Sequence, residues 1–212
     1  MKKIIFIISL MFLITGCTNI NELSYDEIIQ EFSTKPLKSN NYRTGYKYYL
    51  PREMQVVDST LFNEVLEDGQ NTYYLYVDTV SYLNNVSYDF KNAEMNIYFA
   101  NIAYDDKYGY VEINLYENEQ YLVEIMYNYA KIEVIVDEKY INKALLSAIN
   151  ILKSIEYNDS IITNLLEEDV LNFAEEEFNI FENTNNDDNY VEFSDDSYES
   201  NEQEIPDTDL IN

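Results

Sequence analysis

The chain has no histidine and no tryptophan, and only one cysteine. Without an imidazole, the Ser–His–Asp and Cys–His arrangements that activate a nucleophile are excluded. Zinc sites built from Cys and His are excluded for the same reason. A single cysteine rules out a disulfide within the chain. Glycine is scarce: there are 4, one of them within the first sixteen residues, so no Gly-rich loop of the phosphate-cradling kind is present. Positive charge is also thin, with 13 Lys and Arg against 40 Asp and Glu and a net charge of −27. Such a chain repels nucleic acid, and no basic stripe offsets the charge, so no nucleic-acid partner is expected. No cofactor and no metal are expected either.

What the chain has in excess is tyrosine, 22 residues, with 10 Phe beside them. Tyr joins an apolar ring to a polar tip, so it packs while keeping its hydroxyl wet. Tyr, Asn and Ile together match an AT-rich genome, which explains much of this bias without reference to function. The length of 212 residues suits one domain with attached segments, and a hydrophobic fraction of 46% supports a core.

Lys2 and Lys3 open the chain, and residues 4–14 are apolar apart from Ser9. That run is too short to span a membrane, which takes about 20 residues, but it has the length of a signal-peptide core. It ends in Leu13-Ile14-Thr15-Gly16-Cys17, followed by the polar Thr18-Asn19. This resembles the lipobox of bacterial lipoproteins, with Ile14 where Leu is commonest. The resemblance implies a diacylglyceryl group on the Cys17 thiol and cleavage by signal peptidase II between Gly16 and Cys17. Residues 1–16 would then be a signal peptide, and the protein would be lipid-anchored on the outer face of a bacterial cell membrane. Two acyl chains hold stably where one is marginal, at about 0.8 kcal/mol per buried CH₂.

Residues 17–41 read as the lipidated cysteine and a spacer with one short helix. Ser24-Tyr25-Asp26-Glu27 forms a capping box, followed by Ile28, Ile29 and Phe32 and closed before Lys35-Pro36. Residues 42–158 read as a globular domain. Extended runs at 46–50, 54–57, 72–79, 95–104, 109–116, 121–127 and 130–136 are rich in Tyr, Val and Ile, and several alternate apolar with polar. The run 61–66 fits a short strand or a turn of helix. Short turns between consecutive strands predict an antiparallel meander, with Gly109 as the permissive position of the 105–109 turn. Asp137 is the expected N-cap of a helix whose buried stripe is Ile141, Leu145, Ala148, Ile149 and Leu152.

Residues 159–182 predict a second, acidic amphipathic helix capped by Ser160, docked on the domain or on a partner. Residues 183–212 carry ten acidic and no basic side chains and are expected to be a disordered tail. Nineteen of the acids lie after residue 153, where no Lys or Arg occurs. The expected fold class is therefore α+β: a central antiparallel β-sheet, a meander, covered by helices, between a signal peptide and an acidic tail. Tyr49-Leu50-Pro51 and the segment from Ala148 to Ile155, with this order of elements, resemble the PsbP-like family of extracytoplasmic domains. That resemblance covers residues 42–158 and implies a mostly non-catalytic role, with no functional residues carried over.

Asp105-Asp106 lacks the alternating oxygen ligands of a calcium loop and reads as a solvated turn. Glu112 and Glu124 fall where they can face each other across neighbouring strands, the pairing a glycoside hydrolase needs. Tyr74, Tyr76, Tyr110 and Tyr127, with Tyr82, Tyr116 and Tyr129, lie on strands or their ends. They line either the core beneath the helices or a binding face. The function expected is a non-catalytic binding or structural role at the cell envelope, with a membrane lipid anchor and an envelope protein or polysaccharide as partner. A carboxylate-dependent envelope hydrolase and a small-ligand carrier for a transporter are the alternatives.

Overall fold

The computed structural model describes residues 19–30, 36–91 and 96–167. The first elements are α1 (Tyr25–Gln30), β1 (Asn41–Tyr42), β2 (Tyr46–Tyr48), β3 (Gln55–Ser59), β4 (Asn63–Glu67) and β5 (Thr72–Val77). Then come α2 (Thr79–Asn84), β6 (Tyr98–Tyr104), β7 (Lys107–Leu115), β8 (Gln120–Tyr127) and β9 (Ala130–Asp137). The last are α3 (Ile141–Lys153), β10 (Glu156–Tyr157) and α4 (Asp159–Glu167). Seven strands form one sheet in the order β3-β4-β5-β9-β8-β7-β6, antiparallel throughout. The large antiparallel sheet with helices is the expected α+β architecture. Two meanders meet at β5 and β9, and the chain from β5 crosses the sheet to enter β6 at the far edge.

The shortage of glycine shows in the hairpins. Asp105-Asp106, Asn118-Glu119 and Asn128-Tyr129 turn the chain between β6 and β9, and all six residues have φ between 52° and 63°. Tight hairpins need this left-handed backbone, which glycine adopts at least cost and Asn or Asp tolerate next best. The expected role of Gly109 is corrected: it lies inside β7, not in the turn. A Cβ there would stand 1.9 Å from the Met126 carbonyl oxygen on β8, so the residue is required by the close approach of two backbones.

One face of the sheet is the core. Tyr73, Leu75, Val77, Val111, Ile113, Val123, Ile125, Ile132 and Val134 alternate inward and are buried. Against them α3 packs over β8 and β9, burying all five residues of the expected stripe together with Ala144 and Ile151. Its expected cap is corrected too. Asp137 ends β9, the turn Glu138–Tyr140 intervenes, and Tyr140 stands at the N-cap without a side-chain bond. Beside α3 lies α1. Its capping box is formed: Ser24 N–H donates to Glu27 at 2.8 Å, Glu27 N–H donates to the Ser24 hydroxyl at 3.3 Å, and Ile28 is buried.

Some elements were not expected, α2 and β10 among them. Asp78 accepts the Ser81 N–H at 2.8 Å and starts α2, which places Tyr82 on a helix rather than a strand. The exit from α3 becomes β10, which with β1 and β2 makes a second, three-stranded sheet. The 61–66 run resolves as β4, a strand. α4 is capped by Asn158, whose Oδ1 accepts the Ile161 N–H at 3.2 Å, instead of by Ser160. Ile162 of α4 is buried, 2.9 Å from where a Cβ on Gly45 would stand. Among the described residues no helix is long and apolar enough to cross a membrane. The expectations for residues 1–16, Cys17, Phe32, 168–182 and 183–212 fall outside the described residues.

Candidate functional site

The second face of the large sheet carries the side chains that the alternation points away from α3. Cross-strand register sets them in rows. One row runs Val65, Tyr74, Glu133, Glu124, Glu112, Phe99, and the next runs Asn63, Tyr76, Lys131, Met126, Tyr110, Asn101. Three glutamates on three adjacent strands therefore stand directly opposite one another. Like charges in that position destabilise a sheet, so the row needs neighbours that neutralise it. Lys131 Nζ lies 2.6 Å from Glu133 Oε1 and 4.0 Å from Glu124 Oε2. The Tyr110 hydroxyl donates to Glu124 Oε1. Asn114 and Asn96 donate to Glu112 Oε1 at 2.8 and 3.3 Å.

Glu124 sits at the centre of this ladder. Burial pushes its carboxyl up to about 7, with Glu133 adding to the rise and Lys131 opposing it. The group thus titrates at neutral pH. The Tyr110 hydroxyl rises well above its ordinary value, first through burial and then through the Glu124 charge. Its ring is packed between Phe90 at 5.0 Å and Phe99 at 6.0 Å, so the crossover after α2 covers this part of the face. Tyr74 is half-buried and Tyr76 is 37% exposed, on the β5 side of the ladder.

The four tyrosines proposed from sequence thus separate. Tyr74, Tyr76 and Tyr110 share the outer face. Tyr127 lies on the core face, 2% exposed, and donates its hydroxyl to the Tyr104 carbonyl at 2.8 Å. Tyr82 and Tyr129 pack at the end of the sheet: Tyr82 stacks on Tyr157 at 3.9 Å and meets Tyr129 edge-on at 5.8 Å. Glu112 and Glu124 do face each other as direct cross-strand partners. Sequence reasoning passed over Glu133 and Lys131, although β9 alternates Lys, Glu and Ile outward and the hairpin register with β8 implied the opposition.

A second acidic group is structural in character. Glu64 lies on the core side of β4, and its side chain has no exposed surface. It accepts hydroxyls from Tyr46 at 2.8 Å and Tyr48 at 2.9 Å and pairs with Arg43 Nε at 3.2 Å. Buried charge persists only when paired and hydrogen-bonded in this way. These bonds clamp the small sheet onto the large one. A surface hollow of about 610 Å³ lies elsewhere, between the N-terminal turn and the start of α3, lined by Asn21, Tyr25, Glu138, Lys139 and Asn142. Among the described residues no three potential ligands are grouped as a metal ion requires. The outer face can offer aromatic contact, carboxylate and amide hydrogen bonds, and a proton on Glu124. Neither the family models nor the curated proteins compared with this chain show a match.

Proposed function

We propose that this is a lipid-anchored extracytoplasmic lipoprotein that binds an envelope protein or polysaccharide through the outer face of its sheet, without catalysis. Lys2, Lys3, the apolar run and Leu13-Ile14-Thr15-Gly16-Cys17 support the anchor. In this reading residues 1–16 are removed, Cys17 carries the lipid at the outer face of the cell membrane, and 183–212 is a solubilising acidic tail. The central domain stands with the PsbP-like extracytoplasmic domains. The observation that carries the binding role is the placement of Tyr74 and Tyr76 beside Lys131 and the glutamate ladder, on the face that α3 leaves uncovered.

Two experiments test this. Labelled palmitate should enter the protein and be lost in Cys17→Ser; labelling that survives the change refutes the anchor. Pull-down of the anchored protein from envelopes, read by mass spectrometry and glycan analysis, should return a partner. A Tyr74→Ala, Tyr76→Ala variant should capture at least about tenfold less, as loss of aromatic anchors does at interfaces. Equal capture by the variant refutes the assignment of the face.

One observation favours a second reading. Glu124, with a carboxyl at about 7, stands directly across from Glu112, and glycoside hydrolases work through a pair of facing carboxyl groups. Turnover of an envelope glycan that disappears in Glu124→Gln would establish the hydrolase and displace the binding role.

A further inference from the structure

The two edges of the large sheet differ. The β3 edge is short, carries Asp58, and is broken by a register shift between Val56 and Asp58. Charge and bulges of this kind stop an edge from pairing with another chain. The β6 edge has neither. Its seven residues, Tyr98-Phe99-Ala100-Asn101-Ile102-Ala103-Tyr104, contain no charge and no proline, and their pairing with β7 runs without a shift from Tyr98 to Tyr104. Among the described residues no strand pairs with its outer side. In a chain of net charge −27, an uncharged strand of that length at an edge brings no charged side chain of its own against a second copy, although Asp26 accepts the Tyr98 hydroxyl beside it.

The sequence of β6 also fits itself. A two-fold interface must be self-complementary. Antiparallel pairing of two β6 strands about Asn101 sets Phe99 against Ala103 and Ile102 against Ala100, so in these two pairs a bulky side chain meets a small one. Tyr98 meets Tyr104, and Asn101 meets its own copy. The acids of the adjoining turn, Asp105 and Asp106, then fall opposite Ile97 and Asn96 and not opposite each other. On the face away from α3, Asn101 and Ala103 are exposed and Phe99 is half-buried against Tyr110. We propose that β6 pairs antiparallel with β6 of a second copy of this chain, joining two seven-stranded sheets into one continuous sheet across a two-fold axis at Asn101. This is independent of what the outer face binds.

Cysteine crosslinking of the purified full chain in solution tests it. The two Asn101 Cα atoms would lie about 4.5–5.5 Å apart, within disulfide reach. With Cys17→Ser as background, Asn101→Cys oxidised by copper–phenanthroline should run at twice the chain mass on a non-reducing gel and return to one copy with reductant. Asp58→Cys on the guarded edge should stay at one copy. Sedimentation of the purified chain should give a dimer whose share rises with salt, because screening relieves the repulsion between two acidic copies. Asn101→Lys with Ala103→Lys should sediment as a monomer with an unchanged circular dichroism spectrum. A monomer in the unmodified chain, no crosslink at position 101, or a dimer that persists in the lysine variant each overturns the pairing. A dimer that weakens with salt does so as well, since it points to a charge-driven contact elsewhere.

Discussion

Tyr46 donates its hydroxyl to Glu64 at 2.8 Å across the junction of the two sheets, and the carboxylate that accepts it has no exposed surface. With Tyr48 and Arg43 it forms a charged link that holds β2 over β4. Removing one member of a buried pair leaves the rest unsatisfied, at a cost of about 3–5 kcal/mol. Glu64→Ala should therefore lower stability by roughly that amount in urea unfolding. Glu67→Ala, three residues on and half-exposed, should stay within about 0.5 kcal/mol. Equal losses at both positions would remove Glu64 from its role as the clamp.

Gly109 and Met126 supply a second test. A methyl group added at 109 meets a backbone carbonyl, which cannot rotate away as a side chain tip does. Gly109→Ala should separate β7 from β8 and cost more than about 2 kcal/mol, by the mechanism of forced overpacking. Gly69, with nothing near its Cβ position but a φ of 82°, should lose only about 1 kcal/mol on the same change. Thermal unfolding of the two variants side by side would show the order, and a reversed order would contradict the register of β7 on β8.

These two sites show what could be read in the sequence and what could not. The alternation of Val111, Ile113, Val123, Ile125, Ile132 and Val134 marked β7, β8 and β9, because a half-buried strand repeats every second residue. The stripe of α3 was equally plain. Gly109 was misplaced because a glycine next to Asp105-Asp106 reads as the turn residue, whereas in this glycine-poor chain the aspartates themselves take the left-handed positions. The small sheet stayed hidden because β1 and β10 have two residues each and owe their pairing to tertiary contacts such as Tyr157 against Tyr46. The glutamate ladder needed register: Glu112 and Glu124 were visible as facing residues, but Glu133 joins them only once β8 and β9 are aligned.

The ladder has a pH signature. The ordinary carboxyl value for Glu124 is 4.5 and the folded value is about 7, raised first by burial. Between those values the folded chain holds a proton that the unfolded chain releases, so stability falls as pH rises through this window. For one proton the slope approaches about 1.4 kcal/mol per pH unit. Glu124→Gln, which keeps an acceptor for Tyr110 and removes the titration, should flatten the stability profile between about pH 4.5 and 7. A slope that is the same in both proteins would assign the titration to another group.

Asp68 behaves in the opposite sense. Burial alone would raise its carboxyl, but Lys143 at 2.9 Å, the N–H groups of Asn71 and Gln70, and the Tyr73 hydroxyl outweigh it and hold the carboxyl below its ordinary value. The contact ties the β4–β5 turn to α3. A depressed folded value means that this stabilisation is complete above the unfolded carboxyl range, near 3.8, and is lost as pH falls through the folded value. Lys143→Met removes the strongest of the opposing contacts while keeping the methylene stem over the helix. It should raise the pH at which the protein unfolds in acid and cost about 1–3 kcal/mol at neutral pH, where Asp68 is left with fewer donors. Asp68→Asn should remove its share of the acid-induced loss altogether, and adding Lys143→Met to it should cost little more, since the two act through one bond. Losses that simply add in the double variant would show that Lys143 stabilises the helix independently of the turn.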